Sequence, residues 1–218
     1  MTDQNTFWNV VETARSDNKL IAEQPDEYIR NLVESMHERL AKQDHAYILS
    51  YYSGYLQCSQ MLRNQKMKNA CFLLCETSSP DTFTDFIDVV LLLGKKSFED
   101  ALLDPDLLAG PMDCFTRLNN WEVSLHMIPF YVLEEINEDP KILKGVAKSQ
   151  AIPQCSDVEE ISIEKIPLHY PKLYQLSLKI GNFTPEDFQP KPVIESNKKT
   201  QNQPSGLSVE DALSEFDF

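Results

Sequence analysis

The stretch Ser78–Gly110, SSPDTFTDFIDVVLLLGKKSFEDALLDPDLLAG, most constrains what this chain can fold into. Phe83, Phe86, Ile87, Val90 and Leu93 recur three and four apart, the spacing that gathers apolar side chains on one face of an α-helix. Ser79 is a suitable N-cap, because its hydroxyl can accept from a backbone N–H that has no partner in the first turn. Pro80 fits the first helical position, where its missing N–H costs nothing. Asp81 adds negative charge where the helix dipole is positive. Gly94 is a stop. A second helix is expected from about Lys95 to Leu103, carrying Phe98, Ala101 and Leu102. DPDLLAG then turns and starts a short helix at Pro105.

The same pattern runs through the chain. NTFWNVVETARSD places Phe7, Trp8, Val10, Val11 and Ala14 on one helix face. QPDEYIRNLVESMHERLAKQ starts a helix near Pro25, with Asp26 and Glu27 in its first turn. DHAYILSYYSGYLQCSQMLRNQ reads as an aromatic-rich third helix. Gly54 in its middle costs about 1 kcal/mol relative to alanine, so a close packing partner is expected there. KMKNACFLLCE reads as a buried fourth helix. NNWEVSLHMIPFYVLEEINEDP reads as a helix kinked at Pro129 and ended by Asp139 and Pro140. Ile161, Ile163 and Ile166 settle on no single period, so that region is expected to be irregular, with one short element. YPKLYQLSLKIGNF is a last helix stopped at Gly181. Only 6 glycines in 218 residues argue against a loop-rich β fold and against glycine-rich nucleotide loops. The expected fold is all-α: one multi-helix domain over residues 1 to about 185, with a disordered, acidic C-terminal tail.

Several of these segments together resemble domain of unknown function 4240, a mostly bacterial all-α family. They are FWNVVETAR, the helix holding Phe83 and Phe86, the FEDALLDPDLLA continuation after Gly94, and YPKLY. Ser79, Asp81, Phe83, Phe86, Gly94, Phe98, Ala101, Leu102, Asp104, Pro105 and Asp106 match the family pattern, and the resemblance runs over about residues 4–178. Pro80 stands where the family has an acid, Ile87 where it has an arginine and Val89 where it has a tryptophan. The resemblance implies the fold and leaves the activity open.

The formal net charge is −14. Such a surface repels nucleic acid and anionic membranes, since phosphate binding needs clustered lysine and arginine. It favours basic protein partners and solubility. Residues 75–113 carry half of that charge, with nine acids against two lysines. An acidic face there can dock a basic partner, and Asp85, Asp88, Glu99 and Asp100 are the acids expected to point outward. Asp104 and Asp106 flank a proline with no further ligands at calcium-loop spacing, so no metal site is assigned. Five cysteines with no leading secretory signal point to reduced thiols and a cytoplasmic protein. Cys71 and Cys75 share a helix face, but His37, His45, His126 and His169 are too scattered to complete a zinc site. No catalytic motif stands out, although His126 with Glu134 or Glu135 is left open as an acid–base pair. The tyrosines between Tyr47 and Tyr55 are expected in helix–helix contacts rather than on a base-stacking surface.

From about Gln189 the composition turns to Pro, Asn, Gln and Lys, too polar to offset the entropy of ordering. The last twelve residues, LSVEDALSEFDF at 207–218, set Leu213, Phe216 and Phe218 among four acids. Ser208 and Asp211 are spaced as a capping pair. Apolar anchors with steering acids on a tether make a short docking peptide. The expectation is a non-catalytic, cytosolic protein-binding module without cofactors, in one version an immunity or inhibitor protein that occludes a basic partner. The alternatives are a metal-dependent enzyme or regulator using the acids at 81–106, and a structural subunit of a larger assembly.

Overall fold

The computed structural model describes residues 2–18, 24–114, 124–149 and 161–189, and these contain helices and no strand. In chain order the helices are α1 (Asp3–Asp17), α2 (Pro25–Leu40), α3 (His45–Leu62), α4 (Gln65–Cys75), α5 (Pro80–Leu92), α6 (Lys95–Leu103), α7 (Ala109–Met112), α8 (Ile128–Glu135), α9 (Ile142–Ser149), α10 (Ile166–His169) and α11 (Pro171–Ile180). Short 3₁₀ turns at Pro105–Leu108, Leu125–Met127, Ile163–Lys165 and Pro185–Phe188 connect them. The fold is all-α. No described helix is long and apolar enough to cross a membrane.

The helix starts follow local chemistry. The Asp44 carboxylate accepts from the Tyr47 N–H at 2.8 Å, Asn64 from Met67 at 3.0 Å, and Ser79 from Thr82 at 3.3 Å. Each satisfies a donor that the helix itself leaves unpaired. Pro80 occupies the first turn of α5, as expected. α5 is buried nearly all round, with Phe86, Ile87, Val89, Val90 and Leu91 fully shielded. Ile87 and Val89, which replace the arginine and tryptophan of the family pattern, are therefore core residues.

α3 is the centre of the packing, touching α1, α5, α6, α8 and α9. Tyr51, Tyr52 and Tyr55 are buried in it, and the Phe7 ring of α1 packs at a tilt against Tyr51 with ring centroids 5.5 Å apart. α1 crosses α3 at Gly54. A side chain there would run into the Asp3 carbonyl and come within 2.9 Å of the Phe7 Cβ. The expected close partner of Gly54 is thus the first turn of α1. Asp3 locks the crossing by accepting from Ser50 Oγ at 2.8 Å and Ser53 Oγ at 2.7 Å.

Gly94 closes α5 with φ +97 and leads directly into α6. The N-terminus of α6 has no cap of its own. Glu12 of α1 supplies it, accepting from the Lys95 N–H at 2.6 Å, and Arg15 pairs with Glu12 at 3.0 Å. A Cβ on Gly94 would strike that pair. So the FWNVVETAR segment does two jobs: its apolar face enters the core and its Glu–Arg face caps the helix after Gly94.

Several expectations are corrected. Leu102 is 38% exposed and not part of the α6 core face. Pro129 does not kink a long helix. It lies in the first turn of α8, after the turn Leu125–Met127, where no ladder bond is lost. α9 was not expected, and it buries Leu143. The irregular isoleucine region holds the turn Ile163–Lys165 and α10, with Ile166 buried. Gly181 ends α11 in the left-handed region at φ +81. Residues 190–218, with the expected tail, lie outside the described residues, as do Trp121 and Cys155.

The Gly54 crossing gives opposite signs for two identical substitutions. In an open helix, Gly→Ala stabilises by about 1 kcal/mol. Gly145 in α9 has no atom within 4 Å of a Cβ, so Gly145→Ala is expected to raise the urea midpoint. Gly54→Ala is expected to lower it, by about 1–3 kcal/mol of overpacking. Equilibrium urea unfolding of both variants checks this.

Candidate functional site

The acid-rich stretch does not form one outward acidic face. Asp88 is fully buried. One of its oxygens accepts from the Tyr55 hydroxyl at 3.0 Å, and the other from the Leu125 N–H at 2.9 Å. The carboxylate therefore joins α3, α5 and the turn that precedes α8. This corrects its assignment as a docking acid: a buried carboxylate needs donors, and both come from distant parts of the chain. Asp106 is also buried. It accepts from the Lys172 N–H at 2.9 Å and the Leu173 N–H at 2.8 Å, capping α11. Asp104 in turn accepts from the Asp106 N–H at 3.0 Å. The DPD and YPKLY segments thus meet at one joint.

The remaining candidate acids lie nearer the surface. Glu99 is exposed 4.0 Å from Lys95, and Asp100 lies 2.7 Å from Lys96, each pair one helical turn apart. Asp85 is half-buried one turn before Asp88. Asp113, farther on, pairs with Lys179 at 2.7 Å. Leu213, Phe216 and Phe218 lie outside the described residues.

Around Asp88 the structure collects a cluster of titratable groups that the sequence pattern did not single out. Tyr51 and Tyr55 approach from α3, Arg63 from just beyond it, Asp85 from α5, and His126 from the turn. Arg63 donates to Thr84 Oγ1 at 3.1 Å. Burial pushes the Asp88 carboxyl up to about 7, against the pull of the Leu125 N–H, the Tyr55 hydroxyl and the Arg63 charge, while Asp85 adds to the rise. Burial, and then the Asp88 charge, raise both tyrosines. Burial, and then Arg63, lower His126. A carboxyl poised near neutrality is the kind of group that catalytic sites tune. Here it is enclosed and engaged by two donors, so the chemistry it supports is proton uptake coupled to packing.

The acid–base pair that the sequence leaves open at His126 is not formed with Glu135, whose carboxylate lies 3.4 Å from His37, and Glu138 lies 3.6 Å from His45. Cys71 is buried with its thiol donating to the Thr77 carbonyl at 3.4 Å. The neighbouring Cys75 thiol and burial both raise its pKa. Among the described residues no three His, Cys, Asp or Glu side chains converge as a metal ion requires.

The described surface has hollows beside α1 and beside α4. One, of about 260 Å³, lies between α1, α2 and the start of α3, lined by Asn9, Thr13, Asp17, Arg39 and Tyr47. The other, of about 410 Å³, lies between α4 and the segment 161–166.

The family model "Protein of unknown function (DUF4240)" matches residues 1–126. The chain belongs to the DUF4240 family. The match ends before YPKLY, so the resemblance of that segment lies beyond the matched part. It takes in the Gly54 crossing, the Glu12 cap and every residue of the Asp88 cluster. No curated protein and no solved structure matches this DUF4240 chain significantly.

Asp88 sets a pH dependence with a definite sign. In the unfolded chain it releases its proton near pH 4. In the fold it holds it to about pH 7. Between those values the folded state binds more protons, so this contribution to stability falls as pH rises, and the loss is complete above the folded value. His126 acts oppositely, because a histidine kept neutral costs stability as pH falls below about 6.5. Asp88→Asn can still accept from Leu125 and removes the titration. Thermal melts from pH 4 to 8 should show the variant gaining on the wild-type protein as pH rises, by an effect on the order of a few kcal/mol.

Proposed function

We propose that this DUF4240 protein is a non-catalytic, cytosolic protein-binding module. The observation that carries this is a pair of leucines left in water at one joint. Leu103 is 77% exposed and Leu168 is 81% exposed. They flank the junction where Asp106 caps α11: Leu103 lies three residues before Asp106, and Leu168 four before Lys172. Single exposed leucines are ordinary; these two, which the chain places on either side of one hydrogen-bonded joint, are taken as its apolar anchors. Asp104 is exposed at the same place.

The partner surface that fits is basic with an apolar hollow. The net charge of −14 steers such a partner toward the protein. Asp85, Glu99 and Asp100 serve as rim acids, with Glu99 and Asp100 moderated by Lys95 and Lys96. The segment 207–218, with Leu213, Phe216 and Phe218, supplies a second, tethered contact. One concrete version is an immunity or inhibitor protein that covers a basic active site.

Affinity capture with the full chain, in low and in high salt, tests this. The wild-type protein should retain a partner that high salt releases. Leu103→Asp with Leu168→Asp should retain it at least about tenfold less, the change expected when anchors worth about 1.4 kcal/mol or more are lost. Retention that ignores both the double variant and salt would contradict the proposal.

A further inference from the structure

The groove of about 410 Å³ between α4 and residues 161–166 has an apolar floor of Phe72, Ile161, Ile163 and Ile166. Among the described residues that line it, Lys68 is the charged one. Glu164 and Lys165, next to the groove in the chain, offset each other. We propose that this groove is the resting place of the protein's own C-terminal segment, Leu207–Phe218, with Phe216 and Phe218 on the apolar floor and the acids toward Lys68.

The position of the chain's exit supports this occupant. Phe188 is buried, 5.0 Å from the Tyr174 ring and 5.2 Å from that of Phe183. Phe183 in turn lies 5.0 Å from Phe72, on the groove floor. The turn Pro185–Phe188 packs against the turn Ile163–Lys165, on the groove wall. The described chain therefore ends at Gln189 beside the groove. The 17 residues at 190–206 lead from there to the segment. Seventeen residues reach roughly 20–25 Å even at the root-mean-square span of a flexible linker, enough for any part of the groove. The linker also holds the segment at an effective concentration of about a millimolar, so weak contacts suffice for occupancy.

Charge and chemistry match as well. The segment carries four acids and no base. Its apolar side chains at 213, 216 and 218 meet a floor of one aromatic and three isoleucine side chains. The inference rests on the docking reading only in treating 207–218 as a docking peptide. It adds that the peptide is held in cis, so an outside partner must compete for it.

A photoreactive phenylalanine analogue placed at position 216 of the full chain tests this. Illumination should crosslink it within the same molecule to the segment around Lys68 and Phe72 or to residues 161–166. The yield should not change on dilution. Lys68→Glu with Ile163→Asp, both at exposed positions, should lower that yield about tenfold. Crosslinks elsewhere on the domain, crosslinks between molecules whose yield rises with concentration, or a yield indifferent to the double variant would overturn it. Should the double variant fail to fold, the site of the wild-type crosslink still decides. Failure here, with capture still dependent on Leu103 and Leu168, would remove the cis contact and leave the partner reading standing. Loss of capture dependence with the crosslink intact would do the reverse.

Discussion

Two carboxylates taken out of water govern how the later chain sits on the earlier part. A buried carboxylate is costly unless donors replace its hydration. Asp88 finds them in the Tyr55 hydroxyl and the Leu125 amide, and Asp106 in the amides of Lys172 and Leu173. In each case an acid on or just after the helical hairpin α5–α6 receives backbone N–H groups from a segment far along the sequence. The turn before α8 and the start of α11 are thereby fixed to the α3–α5 core. The same logic works in reverse at Glu12, where the first helix caps α6.

This use of acids reshapes the surface. The acid-rich stretch looked like an outward charged face. Most of its charges are instead engaged in caps, in a buried cluster, and in pairs with Lys95, Lys96 and Lys179. What stays in water around the Asp106 joint includes two apolar side chains, Leu103 and Leu168, beside the exposed Asp104. The groove beside α4 lies where the described chain ends.

Much of the fold was legible because helix signals are local. The stripe in α5, the Ser79–Pro80–Asp81 start and the Gly94 stop all rest on neighbours within a few residues. Gly54 in an apolar helix pointed to a close crossing, and α1 provides it. The inward acids were not legible. Asp88 sits on a helix that is apolar on nearly every side, so periodicity assigns it no face. Its partners are 33 and 37 residues away, and those of Asp106 are 66 and 67 away. Pro129 was misread because a proline suits a first turn as well as a kink, and no capping side chain marks where α8 begins. The titratable cluster was hidden for the same reason as Asp88: Tyr51, Arg63 and His126 share no spacing, and only the tertiary fold brings them together.

The central claim is that buried acids, by accepting backbone amides, hold the later helices in place. Amide hydrogen exchange followed residue by residue tests it most directly. In the wild-type protein the Lys172 and Leu173 amides should exchange as slowly as core amides of α3, although they sit in the first turn of α11, where amides have no helical partner. In Asp106→Ala they should become fast while the α3 amides stay protected. Fast exchange at Lys172 and Leu173 in the wild-type protein, or unchanged protection in the variant, would contradict the account.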